Sequence, residues 1–444
     1  MKTLRILAAL AMLVATLCVA FKATLIGGPA LGLCTLAAAF FIGANMLDTN
    51  WTPRSRCATN DISMTGLTEL IYAARDQVAA EPCGFIQGVT LNVDATRAST
   101  NGTVTSLRTL QPTVETSYTP AMTPPDATDV TTDTETMTLD LVAGSRIPLK
   151  GETFLKLANT VGSDAAMMQL LTQALRSIRN QIETKIGLAA KNGASRATGT
   201  AGTTPFASNI NSINAVRQIL EDNGTPMSDG QLSLIISSLA GTNLRNLSNI
   251  TKANEAGSDV PLRLGELLNL SGFSIRTSAG VASHTAGAGS GYDLTGAHAI
   301  NAYTLGLEGG TVNTTGFVAG DVIALDTDTA NKYVVKTGLV ATSGNLIINQ
   351  PGLRVAGTTA SELTIGASYT GNIAYHKSAI ELAIRPPAQP PGGDAGEHIV
   401  LTDPISGLTF DMALYKGRGM NIVEIFCVFG VKVWKPEYVA TLLG

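Results

Sequence analysis

Charge is scarce in this chain. Asp, Glu, Lys and Arg make up 14% of its 444 residues and aromatics 5%, where ordinary globular domains carry roughly a quarter charged residues. With 45 glycines and abundant Ala and Thr, such a composition favours packed, small-residue, β-rich surfaces over solvated ones. Neither sign is in excess. The 30 basic residues face 34 acidic ones, a formal net charge of −4, so the basic stripe of a free nucleic-acid binder is missing.

Paired cysteines are absent too. Cys18, Cys34, Cys57, Cys83 and Cys427 are odd in number, scattered and never spaced CxxC, which argues against a disulfide framework or zinc site and leaves each a structural role. His284, His298, His376 and His398 share no HxxxH spacing and have no partner at helical distance. They are expected on the surface or in loops rather than as ligands. The glycine-rich run Ala286-Gly287-Ala288-Gly289-Ser290-Gly291 lacks the GxGxxG and GxxxxGK[ST] patterns and precedes strands, so no helix N-terminus awaits a phosphate. Without a GxSxG elbow, an HExxH pair or a DxDxDG loop, neither an enzyme nor a cofactor is expected.

What the sequence does have begins with hydrophobic runs. Residues 6–21 and 31–46 are almost unbroken apolar stretches behind Lys2 and Arg5, each short of the ~20 residues of a membrane span. Met64 then opens Met64-Thr65-Gly66-Leu67-Thr68-Glu69-Leu70, a polar start to an amphipathic stretch. Residues 1–63 are read as an upstream extension or removable leader, with a membrane segment and a buried arm as alternatives. Four Asn-x-Ser/Thr matches, at Asn101, Asn246, Asn249 and Asn313, matter only if that leader directs secretion.

Periodicity sets out the rest. Apolar residues at three- and four-residue steps predict a helix over 65–80, ended by Pro82. Alternating Thr and Val, then the Thr-, Asp- and Pro-rich stretch 111–148, predict a long polar hairpin with its tip at Pro124-Pro125-Asp126. Asp126, Asp129, Asp133 and Glu135 cluster there; a solvated arm is favoured over a cation site because the carboxylates are not preorganised. The hairpin's one apolar face, Met137, Leu139 and Leu141, buries too little alone, so these three with Asp126 and Asp129 are expected to serve intersubunit assembly. Leu157, Val161, Met168, Leu171, Leu175, Ile178, Ile182 and Ile186 trace one face of a rod of roughly 28 residues, ~42 Å long. No second helix matches it in length, so it should pack on a sheet. A helix at 213–220 and a buried strand at 232–237 begin an α/β or α+β pattern. Short β runs at 302–307, 321–325, 332–336 and 345–349 read as an inserted sandwich or barrel. A helix is predicted over 374–384, a stiff Pro-rich connector over 386–393, and a central strand over 421–434.

This order, with several local motifs, resembles the coat proteins of tailed phages, in the short-tailed Salmonella-type branch whose coat carries an inserted Ig-like domain. The likeness rests on Gly84-Phe85-Ile86, Thr123-Pro124-Pro125-Asp126, Gly320-Asp321-Val322-Ile323 and the run Leu346-Ile347-Ile348-Asn349-Gln350-Pro351-Gly352-Leu353-Arg354. It continues through Ala374-Tyr375-His376-Lys377-Ser378-Ala379, Gly407-Leu408 and Phe429-Gly430-Val431-Lys432-Val433-Trp434-Lys435-Pro436-Glu437. It spans about residues 64–444.

The resemblance implies an α+β major-capsid fold. After the 1–63 extension, 64–110 would be the N-terminal arm and start of a peripheral domain, and 111–148 an extended loop crossing a neighbour. Residues 149–205 would hold the spine helix, 206–281 the first part of an axial domain, and 282–371 the inserted Ig-like domain. Residues 372–444 would complete the axial domain and add a terminal peripheral strand. It further implies self-assembly into pentamers and hexamers with a scaffolding protein and a portal, in the bacterial host cytoplasm. The resulting procapsid shell would enclose double-stranded DNA without sequence-specific contact. A shell subunit suits wide interfaces with few fixed charges. The alternative is a secreted or surface-anchored adhesive protein with an Ig-like domain, which the leader, the sequons and the Thr-rich arm would fit.

Overall fold

The computed structural model describes residues 81–92, 102–108, 133–152, 163–251, 269–312, 315–389, 391–392, 396–402 and 407–444. The helix predicted at 65–80, the hairpin tip, Leu157 and Val161 lie outside them. The described chain begins with β1 (Thr90–Asn92), the hairpin strands β2 (Thr103–Arg108) and β3 (Asp133–Thr138), β4 (Leu141–Lys150) and α1 (Ser163–Asn192). There follow β5 (Arg196–Thr198), α2 (Asn211–Asp222), β6 (Leu232–Ile236), α3 (Ser238–Asn246), α4 (Ser248–Thr251) and β7 (Ser274–Thr277). Next come β8 (Ser283–His284), β9 (Tyr292–Leu294), β10 (Thr304–Glu308), β11 (Val322–Leu325), β12 (Asp328–Thr337), β13 (Gly344–Ile348) and β14 (Glu362–Ile365). The last strands are β15 (Tyr369–His376), β16 (Ile380–Arg385), β17 (Glu397–Thr402), β18 (Thr409–Gly417), β19 (Met420–Val433) and β20 (Val439–Leu443).

The first sheet is built on β19, central as its apolar run predicts. One edge of β19 pairs antiparallel with β4, and the other is shared by β18, against 420–426, and β16, against 428–433. β17 and β1 complete the sheet. The 30-residue α1 lies across β4 and β19. Its Leu171, Ala174, Ile178, Ile182, Ile186 and Ala190 are all buried, one stripe at steps of three and four. Burying each of the larger side chains contributes about 1.5–3 kcal/mol, so the packing of this stripe on the sheet, rather than helix propensity, holds the rod in place. No helix among the described residues is long and apolar enough to cross a membrane.

The second sheet, ordered β7-β6-β15-β20-β5, is mixed: β6 runs parallel to β7 and β20 to β5, while β15 is antiparallel to both β6 and β20. Ile213, Val216, Ile219 and Leu220 of α2 join Leu232, Leu234, Ile236 and Leu244 in its core. The helix predicted over 374–384 is not there. Strand β15 runs to His376, a 3-10 turn spans Lys377–Ala379, and β16 starts at Ile380. Ala374 and Tyr375 before the turn and Ile380, Leu382, Ala383 and Ile384 after it are buried, and short buried runs separated by so brief a turn cannot be told from a buried helix by periodicity. Consequently 372–444 divides between sheets: β15 and β20 belong to the second, β16–β19 to the first.

The β segment closes on itself. Strands β11-β14-β9-β10-β13-β12 follow one another by antiparallel pairing, and β12 pairs back to β11. This ring is a closed six-stranded barrel rather than an Ig-like sandwich of two facing sheets, and closure removes the edges that a sandwich leaves. Its interior holds Tyr292, Leu294, Leu305, Leu307, Phe317, Ile323, Tyr333 and Leu346, all from within the segment. Outside the ring, β12 pairs with β5 of the second sheet.

Candidate assembly surfaces

The hairpin ladder runs from Thr103 paired with Thr138 to Arg108 paired with Asp133, so the hairpin starts before 111 and ends at 138. Strand 141–150 belongs to the first sheet. Met137 and Leu139 are 1% and 0% exposed and pack with Ala383, Val428 and Trp434. They are interior residues of the subunit, at the root of the arm, and not a face left free for a neighbour. Leu141 is half-buried and pairs with Phe429. Asp126 and Asp129 lie outside the described residues. The root is fixed by polar contacts as well. Lys432 Nζ donates to the Thr136 carbonyl at 2.7 Å, meets the Glu135 carboxylate at 3.0 Å and stands 5.0 Å from the Trp434 ring centroid. Gly430 faces the Thr138 carbonyl oxygen so closely that a Cβ would sit 2.4 Å from it.

A second attachment ties residues 81–88 to α1. Glu81 accepts from Arg176 Nε and Asn180 Nδ2, both at 2.7 Å, and these two donors hold its carboxyl down at about 2. Two turns along α1, the buried Glu183 accepts the N–H groups of Phe85 and Ile86 at 2.7 and 3.0 Å. Burial pushes the Glu183 carboxyl above its usual range, and the donors around it pull the other way. Gly187 lets the loop after β7 settle on the helix, since a Cβ there would lie 2.2 Å from the Gly280 oxygen.

Free surface remains around these attachments. Leu170 and Leu188 on the outer side of α1, Val142 on β4 and Val400 on β17 are 38–49% exposed. Among the described residues β17 pairs only with β18, which leaves its outer edge able to accept another strand.

Two of the four histidines are buried rather than in surface loops. His284 stands 2.7 Å from Asp321 and His376 2.7 Å from Asp229, partners 37 and 147 residues away in the chain, beyond the reach of any spacing rule. Among the described residues no group of His, Cys, Asp and Glu could hold a metal ion. Burial pushes the Cys83 thiol up to about 11 and the Cys427 thiol up to about 12, so neither offers a thiolate at neutral pH.

No family model matches the chain, and no curated protein does. Solved structures with a similar outline include three from phages. A structure from Mycobacterium phage Che8 has a TM-score of 0.46 at 14% identity, over 82% of this chain and 92% of that one. The capsid structure of the cyanophage P-SCSP1u has a TM-score of 0.44 at 10% identity, over 82% and 89%. The capsid of the Myoviridae phage XM1 has a TM-score of 0.42 at 11% identity, over 83% and 93%. At these identities and scores the likeness is one of outline.

Proposed function

We propose that this chain is the major capsid protein of a tailed phage, a structural protein that assembles with copies of itself into an icosahedral shell. The observation that carries the reading is how the arm is built. The base of a polar hairpin is locked against β19, and the 30-residue α1 crosses the same sheet. Residues 109–132, beyond the root, are Thr-, Asp- and Pro-rich and too poor in apolar side chains to form a core. A segment of that composition on a rigid base is suited to lie on a neighbour.

On this reading the first sheet with α1 is the peripheral domain, the second sheet the axial domain, and residues 282–371 the insertion. A scaffolding protein and a portal take part in assembly, and double-stranded DNA is enclosed without sequence-specific contact. The small net negative charge suits a wall that contains DNA and does not clamp it. Electron microscopy of the chain expressed with its scaffolding protein tests the proposal. Closed shells or tubes are expected; a monomer that stays bound to membranes or cell surfaces would support the adhesive alternative instead.

A further inference from the structure

Where the chain enters and leaves the barrel, three ionisable side chains pack together out of water. Lys191 in the last turn of α1, His284 on β8 and Asp321 just before β11 are 4%, 6% and 0% exposed. Lys191 Nζ lies 3.1 Å from His284 Nδ1, and His284 Nε2 lies 2.7 Å from Asp321 Oδ1. Asp321 also accepts the Gly287 N–H at 2.9 Å on Oδ1 and the Val318 N–H at 2.7 Å on Oδ2. From β15 the Tyr369 ring faces the imidazole at 5.1 Å, and its hydroxyl donates to the Gly320 carbonyl at 2.7 Å. Elements from the long helix, the barrel and the second sheet therefore meet on one imidazole.

The protons in this chain of contacts can be counted. An ammonium donates and cannot accept, so beside a charged Lys191 the Nδ1 of His284 is the acceptor and its one proton sits on Nε2, aimed at Asp321. Moving a proton from Lys191 to Nδ1 leaves the same total. Either way Lys191 and His284 share one positive charge, matched by one carboxylate. A second proton would set N–H against N–H across 3.1 Å and place two cations beside one anion in a buried site, where such repulsion is weakly screened. Burial already presses the Lys191 ammonium below its ordinary range, with the Asp321 charge opposing.

We propose that this joint is an acid-sensitive hinge: uptake of a second proton by the Lys191–His284 pair parts the end of α1 from the strands that lead into and out of the barrel. Once apart and solvated, each side chain binds its own proton below the histidine range. The open joint then holds one proton more than the closed one, and acid favours it. The pivot carries no histidine. Asn349 Nδ2 donates to the Asn192 and Ala194 carbonyls, both at 2.8 Å, and β12 stays paired with β5.

Hydrogen exchange on the intact chain, corrected for intrinsic rates and compared between about pH 7 and about pH 5, tests the hinge. Protection at 283–291 and 366–371 should fall about tenfold in acid, the effect of about one unit of linkage, while 232–236 is unchanged. In Lys191→Met a protonated His284 meets only Asp321, and protection should persist at both values. Equal protection of the wild-type joint at both values, or acid opening of Lys191→Met as large as the wild type's, would overturn the proposal. Ring nitrogen shifts of wild-type His284 give a check that needs no variant. At about pH 7, Nδ1 should be the bare nitrogen, or the doubly protonated ring should face a neutral Lys191 amine; a doubly protonated ring beside a charged Lys191 in the closed joint would equally sink it.

Discussion

Ser278 donates its hydroxyl to the Glu183 carboxylate at 2.6 Å, fastening the loop after β7 to the middle of α1. The same carboxylate holds the N–H groups of Phe85 and Ile86. One side chain thus joins three segments far apart in sequence. Glu183→Ala strands those donors, and each buried unsatisfied group costs about 1–3 kcal/mol. A loss of about 3 kcal/mol in urea unfolding is expected, with Glu183→Gln, which keeps one acceptor, losing less. Equal stability of wild type and Glu183→Ala would show that the attachment contributes nothing.

The Glu81–Arg176 pair should show in the pH dependence of stability. Its carboxyl is held at about 2 against an ordinary 4.5, so the native state binds the proton more weakly than the unfolded chain. The stability it contributes is present above 4.5 and lost as pH falls toward 2. Both side chains are about a third exposed, so salt should weaken the effect. The advantage of wild type over Glu81→Gln should shrink in acid and in high salt. An advantage that is flat with pH would refute the pairing.

How far the sequence discloses this fold depends on whether a pattern is local. The stripe Leu171, Ile178, Ile182 and Ile186, the buried strand at 232–236 and the long terminal strand could be read because one face, or both, repeats within a short window. The closed ring could not, since pairing β14 with β9 and with β11 joins strands far apart in sequence, and the same short strands serve a sandwich. Strands β15 and β16 read as a helix because the buried residues ending one and starting the other are separated only by the short turn Lys377–Ala379. The arm was legible in composition, but its root was misplaced: Met137 and Leu139 alternate as expected, and only the packing of Ala383, Val428 and Trp434 shows that their shared face points inward. The Lys191, His284 and Asp321 contacts left no trace in spacing.

Gly430 should be the most sensitive position of the arm root. A Cβ there would meet backbone, the Thr138 carbonyl at 2.4 Å, and backbone cannot rotate away. Gly430→Ala must push the end of β3 off β19 and is expected to cost about 1–3 kcal/mol, as overpacking does. Chemical denaturation measures it. A change within error would mean that the root is looser than its contacts indicate.

The barrel should fold on its own. Its ring and its apolar interior come from residues 292–365, so a fragment of residues 282–371 is expected to give dispersed amide resonances and a cooperative melt. Leu346→Ala should cost about 2–5 kcal/mol in the fragment. A fragment without cooperative unfolding would mean that pairing with β5 is required for closure.

The arm beyond its root is the segment on which shell assembly should depend. Replacing residues 111–130 by a short Gly/Ser turn removes Asp126 and Asp129 but keeps the ladder of 103–108 with 133–138 and the buried Met137 and Leu139. Shortening the connection lowers closure entropy by only about 1 kcal/mol, so the variant should melt close to the wild type. Any contact the segment makes would be mostly burial and geometry, since exposed charge pairs contribute only about 0–1 kcal/mol each. Neutralising Asp126 and Asp129 alone should therefore leave assembly nearly intact, whereas the deletion should abolish closed particles with the scaffolding protein. Two outcomes would count against this assignment. Normal shells from the deletion variant would take the segment out of assembly, and loss of cooperative unfolding would place it in the subunit core.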